Sequence, residues 1–283
     1  MDPRASVFIT AAALAHRIAA GKPTSILAVR NAGPEALPGF ANMARIPGAV
    51  DADLPSQFAS PGGGTLGSRP LPPVETLQRD ALAWGLRRGV PTVLYDHDRC
   101  LTAARGWWVL RWAGLGQVLL LDGGFPAWIA AGLAVATAPG DPPPGDVVLS
   151  PGHMRVLDAD AAATIARSGV LLDTRIRGNY IGGAVAPGEA PRGHIPGSVS
   201  SPAADALTEA GSFLDGATLR HLYAALGADG TRAVGVTCGA GISAAHGIAA
   251  LASIGIDAAL FPGSWSAWSA DPARPVVVGA TPG

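Results

Sequence analysis

A cysteine in the second half of the chain stands in a glycine-rich stretch whose residue types and spacing could support chemistry at sulfur. Cys238 is followed by Gly239, Ala240, Gly241, Ile242 and Ser243. The apolar run from Ala233 to Thr237 is typical of a buried strand, and Ala244 to Ser253 has the composition of a helix. A loop between a strand and a helix can direct several backbone N–H groups at one sulfur, because glycines let the chain curl without Cβ clashes.

This arrangement predicts that Cys238 acts as a nucleophile. Main-chain N–H groups and the positive end of the following helix favour the thiolate, which is the reactive form of cysteine. The same N–H groups would hold the anionic outer sulfur of a persulfide. The alternative is that Cys238 is a small buried apolar residue, as most single cysteines are. The position of Gly239 and Gly241 between strand and helix favours the nucleophile.

Composition narrows the partners and the compartment. With 20 Lys and Arg against 21 Asp and Glu, the net charge of −1 gives no electrostatic reason to expect nucleic acid or an anionic membrane as a partner. No apolar stretch approaches the ~20 residues that span a bilayer. Two cysteines cannot form a disulfide framework, and no Cys or His pair has the spacing of a zinc site. We therefore expect a cytoplasmic protein without a metal.

The two halves of the chain repeat the same order of signals. At 283 residues the chain is long for one hydrophobic core. Thr10 and Asp158 each cap an alanine-rich helix, and an apolar strand follows each helix, from Ser25 to Arg30 and from Val170 to Arg175. Alternating strands and helices predict an α/β fold in which each half has a mainly parallel sheet flanked by helices on both faces.

The repeat also sets the domain boundaries. We predict one domain over residues 1–134, a proline-rich linker over 135–152 that can be neither a regular helix nor a central strand, and a second domain over 153–283. Residues 60–73, which carry several glycines and prolines, are predicted to form a surface loop within the first half.

The motifs of both halves resemble those of tandem rhodanese-domain sulfurtransferases. In the second half they are His194-Ile195-Pro196-Gly197, the stretch Cys238 to Ser243, and Gly263-Ser264-Trp265. In the first half they are Ile46-Pro47-Gly48, Trp107-Trp108, Arg111-Trp112-Ala113-Gly114 and Leu121-Asp122-Gly123-Gly124. The resemblance implies two rhodanese-like domains. It also implies that the second is catalytic and the first catalytically silent, since the equivalent first-half loop begins with Asp96.

The resemblance further implies a ping-pong transfer of sulfur without a metal or organic cofactor. Cys238 would take the outer sulfur of thiosulfate or 3-mercaptopyruvate and pass it to cyanide or a thiol, with a protein thiol as a further candidate acceptor. The uncharged loop resembles that of mercaptopyruvate-type members, because thiosulfate-type loops hold cationic side chains. However, Ala240 replaces the serine common in the mercaptopyruvate subgroup, and Arg45 replaces a family histidine. The donor therefore stays open.

Six residues are candidates for substrate binding: Arg175, Arg177, Asn179, Arg192, His194 and Trp265. Asn179 stands where the family places a donor-binding arginine, and an amide cannot make the charged two-point contact that an anion prefers. Arg177 or Arg192 would have to replace that arginine, unless both are solvated surface residues. Arg175 ends a buried strand, so a structural role is expected for it. His194 and Trp265 are expected to frame the cleft or to buttress the loop.

Two other functions are consistent with parts of the sequence. The departures at Arg45, Ala240 and Asn179 favour a persulfide carrier or protein-interaction module whose donor pocket has decayed. Phosphatases of related fold hold phosphate in a longer cysteine loop that ends in arginine. Ala244 stands where that arginine is expected, which argues against phosphatase chemistry.

Overall fold

The computed structural model describes residues 2–32, 43–183 and 192–283, which form two compact units. The first unit comprises Met1–Ser60, Leu71–Met154 and Thr208–Phe213. The second comprises Pro61–Pro70, Arg155–Leu207 and Leu214–Gly283. Within the described residues, no helix is long and apolar enough to cross a membrane.

The first unit contains a parallel sheet and its helices. The strands are β1 (Phe8–Ile9), β2 (Ser25–Arg30), β3 (Val50–Asp53), β4 (Thr92–Tyr95) and β5 (Val118–Leu121). The helices are α1 (Ala11–Ala19), α2 (Leu54–Gln57), α3 (Val74–Ala83), α4 (Leu101–Trp112) and α5 (Gly124–Ala130). The strand order is β1-β5-β4-β2-β3, with every pair parallel.

Side chains of β4 alternate between the two faces of this sheet, as the pleat of a strand requires. Val93 and Tyr95 lie in one buried cluster with Leu14 of α1. Leu94 lies on the opposite face, where α4 approaches so closely that a Cβ on Gly106 would lie 2.7 Å from the Leu94 side chain. Helices therefore cover both faces, and the apolar composition of the strand follows from burial on both sides.

The second unit repeats this plan in a smaller sheet. The strands are β6 (Val170–Asp173), β7 (Val199–Ser200), β8 (Val234–Thr237) and β9 (Ala258–Leu260), in the parallel order β7-β6-β8-β9. The helices are α6 (Ala159–Ser168), α7 (Arg177–Ile181), α8 (Gly216–Ala225), α9 (Ser243–Ser253) and α10 (Ser264–Trp268). The predicted α/β fold with two parallel sheets flanked by helices is confirmed.

The capping residues predicted from the sequence mark the starts of two helices correctly. Thr10 caps α1 by accepting the Ala13 N–H, and Asp158 caps α6 by accepting the Ala161 N–H. The strand predicted to run to Arg175 instead ends at Asp173. The reason is local, because the Asp173 carboxylate accepts the Arg175 N–H and turns the chain.

Residues 135–152, predicted as a linker, contain no helix or strand and pack along the first unit. The Leu149 N–H donates to the Gln78 side chain, and the Ser150 N–H donates to the Ala113 carbonyl oxygen. Residues 61–70 differ from the predicted first-half surface loop in one respect. They belong by their contacts to the second unit, and the local sequence gave no sign of this.

Candidate active site

Cys238 directly follows β8, and α9 begins at Ser243, so the cysteine loop joins a strand to a helix. The neighbouring strand β6 ends at Asp173 and is followed by Thr174. Because β6 and β8 are parallel, their carboxyl ends lie at the same edge of the sheet, where α/β proteins place their sites. Thr174 donates its hydroxyl to the Thr237 carbonyl oxygen and lies 3.0 Å from the Ser243 hydroxyl.

The Cys238 sulfur lies within hydrogen-bonding distance of the main chain of its own loop. The Gly241 N–H donates to Sγ at 3.0 Å. Among the described residues, no hydrogen bond to the N–H groups of Ala240 or Ile242 is present. The residue itself is only 2% exposed, whereas Gly239, Ala240, Ile242 and Ser243 are partly exposed. The sulfur thus lies beneath a partly accessible loop, with the Gly241 N–H donating to it.

In the equivalent loop of the first unit, the main-chain N–H groups bind a carboxylate. Asp96 follows β4 as Cys238 follows β8, and the two loops have equal length. The Asp96 carboxylate accepts N–H groups of Asp98 and Cys100 at 2.8 Å and of Ala103 at 2.7 Å. Asp98 and Cys100 correspond in position to Ala240 and Ile242. The carboxylate thus fills the N–H cradle of its own loop, where the second unit has a sulfur.

Ser264 is a site residue that the sequence reasoning left without a role. Its hydroxyl oxygen accepts the Cys238 N–H at 3.1 Å and lies 3.8 Å from Sγ. Its hydroxyl hydrogen also has the Phe261 carbonyl oxygen as an acceptor, at 2.8 Å. The side chain is fully buried.

Comparison of the two halves of the sequence could have indicated Ser264, because a glycine stands at the equivalent position of the first half. Gly124 holds the equivalent position in the first half, with φ of 61°, and Ser264 adopts φ of 51°. A left-handed conformation disfavours a residue with a side chain, so a serine there indicates a requirement for the hydroxyl. The dihedral angle itself became visible only in the structure.

The Arg175 side chain is buried and makes contacts with three other residues. Its Nη2 lies 2.6 Å from the Asp173 carboxylate and donates to the Gly193 carbonyl oxygen at 2.7 Å. Its guanidinium lies over the Trp265 ring, 4.6 Å from the ring centre. Trp265 in turn donates its N–H to the Cys238 carbonyl oxygen. These contacts connect Arg175 with the cysteine loop through Trp265.

His194 contacts α7. Its Nδ1 lies 2.9 Å from the Tyr180 carbonyl oxygen, so Nδ1 carries the hydrogen, and its ring stacks on the Tyr180 ring with centres 3.9 Å apart. The side chain is fully buried. These contacts hold the His194 ring against α7.

The remaining substrate-binding candidates lie on the surface. Arg177 is paired with Asp205 at 3.0 Å and its side chain is 66% exposed. Asn179, on the same short helix α7, and Arg192 are also exposed. The structure therefore brings together Cys238, its loop, Trp265 and Arg175. The ion pair that it shows for Arg177 is with Asp205.

The second cysteine of the chain has a different environment. Cys100 is fully buried, and its Sγ donates to the Leu121 carbonyl oxygen. Burial raises the pKa of the Cys100 thiol well above its ordinary value, and the Asp96 and Asp122 carboxylates raise it further. Cys100 is therefore held as a neutral thiol. Within the described residues, no group of three His, Cys, Asp or Glu side chains is placed to hold a metal ion.

Comparisons with known proteins agree with this geometry. The family model of the rhodanese-like domain matches residues 10–131 and again residues 158–271. The chain is 42% identical to a Mycobacterium tuberculosis protein provisionally named thiosulfate sulfurtransferase SseB, over 98% of both chains. It is 39% identical to a Pseudomonas aeruginosa protein provisionally named 3-mercaptopyruvate sulfurtransferase, over 83% of this chain and 84% of the relative. The crystal structure of Escherichia coli SseA, described as a 3-mercaptopyruvate sulfotransferase, superposes with a TM-score of 0.77 at 25% identity, covering 92% of this chain and 98% of SseA.

Proposed function

The chain belongs to the rhodanese family, and on this basis we propose that it transfers sulfane sulfur from a small donor to a thiophilic acceptor through a persulfide on Cys238. The observation that carries the proposal is the Cys238 sulfur in its loop, with the Gly241 N–H donating to Sγ at 3.0 Å. Names of both thiosulfate and 3-mercaptopyruvate sulfurtransferases among the relatives support the reaction class.

The first half-reaction forms a sulfur–sulfur bond on the enzyme. The Cys238 thiolate attacks the outer sulfur of thiosulfate, the donor sulfur–sulfur bond breaks, and sulfite leaves with the electron pair. With 3-mercaptopyruvate, the carbon–sulfur bond breaks instead, and the carbon takes the electron pair and a proton to give pyruvate. Either route leaves a persulfide anion on Cys238, and covalent capture divides one difficult transfer into two easier ones.

The loop supplies main-chain donors for the persulfide anion. Its outer sulfur lies about 2 Å beyond Sγ, so the transferred atom need not occupy the buried position of Sγ itself. The N–H groups of Ala240 and Ile242 correspond to those that hold the Asp96 carboxylate in the first unit. We assign them, with the Gly241 N–H, to the persulfide anion. No charged side chain is needed in this loop.

The second half-reaction returns the enzyme to its starting state. The acceptor, cyanide or a thiolate, attacks the outer sulfur, and the Cys238 thiolate leaves with the electron pair of the enzyme sulfur–sulfur bond. Protein thiols belong to the proposed acceptors. The proposal places the protein in the cytoplasm, because the reaction needs a reduced Cys238 and both cysteines are free in this structure.

The experiment measures thiocyanate formed from cyanide with thiosulfate and, separately, with 3-mercaptopyruvate. We expect the wild-type chain to form thiocyanate and the Cys238→Ser variant to lose at least about 1,000-fold in turnover, because the hydroxyl cannot replace the thiolate. Cys100→Ser is the matched control and should retain turnover. A Cys238→Ser variant with full activity would refute the proposal.

A persulfide carrier is the second candidate function. The exposed position of Asn179 and the pairing of the exposed Arg177 with Asp205 favour it, since neither residue is then assigned to a donor anion. Mass spectrometry separates the two functions. The carrier is supported if Cys238 gains one sulfur from the donor and then transfers it slowly to every small acceptor. The enzyme is supported if the sulfur is transferred rapidly to cyanide.

A further inference from the structure

Residues 61–70 lie in the first half of the sequence, but they pack on α10 of the second half. Helix α10 also contacts the cysteine loop. Gly64–Leu66 forms a single 3₁₀ turn, and the chain after it runs against α10. Gly67 has φ of 82°, and a Cβ at this position would lie 2.6 Å from the Gly263 carbonyl oxygen. Only a glycine allows this approach of the two backbones.

Helix α10 is itself fixed to the cysteine loop by two main-chain hydrogen bonds. The Trp265 N–H donates to the Cys238 carbonyl oxygen at 2.8 Å, and the Ser266 N–H donates to the Gly239 carbonyl oxygen at 3.0 Å. The orientation of the Cys238 and Gly239 peptide groups therefore depends on the position of the first turn of α10.

Ser266 connects residues 61–70 with this turn. Its hydroxyl oxygen accepts the Ser68 N–H at 2.9 Å and the Ser68 hydroxyl at 3.3 Å, and it donates to the Gly263 carbonyl oxygen at 3.0 Å. Ser266 thus contacts the distant segment through its side chain and the cysteine loop through its N–H.

We propose that Ser266 is a positioning residue for the sulfur transfer assigned to Cys238, through which residues 61–70 hold the cysteine loop in the shape that directs its N–H groups at sulfur. This inference rests on the proposed function. Its consequence is that a segment from the catalytically silent half of the sequence is required for full activity. Displacement of reacting groups by about 1 Å can cost about 100-fold in rate, so a small shift of α10 is sufficient for an effect.

The first test compares Ser266→Ala with Ser266→Thr in the full chain. Ser266→Ala should lower kcat for thiocyanate formation about 10-fold with KM for thiosulfate within about two-fold, because the donor is still bound but the loop is displaced. Ser266→Thr keeps the hydroxyl and should restore most of the turnover. Hydrogen exchange at the Ser68 N–H should be faster in Ser266→Ala than in wild type.

Ser269→Ala is the matched control. Ser269 lies just after α10, and its hydroxyl donates to the Trp265 carbonyl oxygen without a contact to residues 61–70. It should keep the wild-type kcat. If Ser266→Ala speeds exchange at Ser68 while kcat stays at the wild-type value, the segment is structural only and the inference is wrong.

A second pair of variants tests the segment from its other side. Gly67→Ala places a Cβ against the Gly263 backbone, whereas Gly64→Ala also changes a glycine of positive φ but places its Cβ in open space. Gly67→Ala should lower kcat, and Gly64→Ala should not. Equal kcat values in the two variants would contradict the inference.

The two proposals fail in different ways in the same assay. A wild-type protein that takes up no sulfur from either donor would overturn both. A wild-type protein that turns over through Cys238, with Ser266→Ala equally active, would overturn only the role of residues 61–70.

Discussion

The two cysteines of the chain illustrate how position in a loop sets the chemistry of a thiol. Cys238 is the first residue after its strand, and a main-chain N–H donates to its sulfur. Cys100 lies five residues after Tyr95, donates its own hydrogen to a carbonyl oxygen and has two carboxylates nearby. The Cys238 sulfur therefore accepts a hydrogen bond, whereas the Cys100 thiol donates one, so the two sulfurs have opposite hydrogen-bonding roles.

Selective alkylation tests this difference. With iodoacetamide near pH 8, the native protein should be labelled at Cys238 and not at Cys100, because the raised pKa of Cys100 leaves almost no thiolate at that pH. Peptide mass mapping after timed quenching gives the labelled position. In urea both cysteines should react, and native Cys238→Ser should take up almost no label. Comparable labelling rates at both cysteines in the native state would contradict this assignment.

Within single elements, Asp96 connects the cysteine-equivalent loop of the first unit with the start of α4. Its carboxylate accepts three backbone N–H groups, which a helix start would otherwise leave without partners. Burial raises the pKa of Asp96, and the N–H groups of Ala103, Asp98 and Cys100 oppose that rise. The Asp96 carboxylate thus occupies the N–H cradle of a loop that has the same length as the Cys238 loop.

Replacement of Asp96 should destabilise the fold. Asp96→Ala leaves three N–H groups without their acceptor, so we expect the free energy of unfolding to fall by about 3 kcal/mol. Urea unfolding followed by circular dichroism measures the change. Asp98→Ala is the control, because Asp98 is exposed, and it should stay within about 0.5 kcal/mol of wild type. Equal stabilities of the two variants would show that the cradle contributes little.

On the scale of the whole molecule, all three tyrosines of the chain are buried, one in the first unit and two in the second. Burial raises the pKa of Tyr95 to about 12 and that of Tyr180 to about 12, and it also raises the pKa of Tyr223. The Tyr95 oxygen accepts the Ile46 N–H, and the Tyr180 hydroxyl donates to the Ser198 carbonyl oxygen. Both units therefore contain a phenol that resists ionisation.

The pH dependence of stability follows from these values. Tyrosines of the unfolded chain lose their protons near pH 10, whereas the folded chain retains them to higher pH. The free energy of unfolding should therefore fall as the pH rises from about 10 to about 12. Phenolate absorbance at about pH 11 should be low in the native protein and complete in urea. Full native ionisation near pH 10 would contradict the burial of these side chains.

Local sequence determined the repeat, the buried strand from Ser25 to Arg30, the helix caps at Thr10 and Asp158 and the place of Cys238 at the end of a strand. Each of these depends on residues near one another in the chain, whose periodicity, turn preferences and capping act over a few positions. The sequence also indicated a structural role for Arg175, which its contacts with Asp173 support.

Only the tertiary structure decided which distant residues meet at the cysteine. Ser264 lies 26 positions after Cys238, and Ser68 lies 198 positions before Ser266. The assignment of residues 61–70 to the second unit and the surface positions of Arg177 and Asn179 also came from the structure. Such contacts depend on how whole elements pack, and no local pattern of residues specifies which backbone will approach Gly263 closely enough to require Gly67.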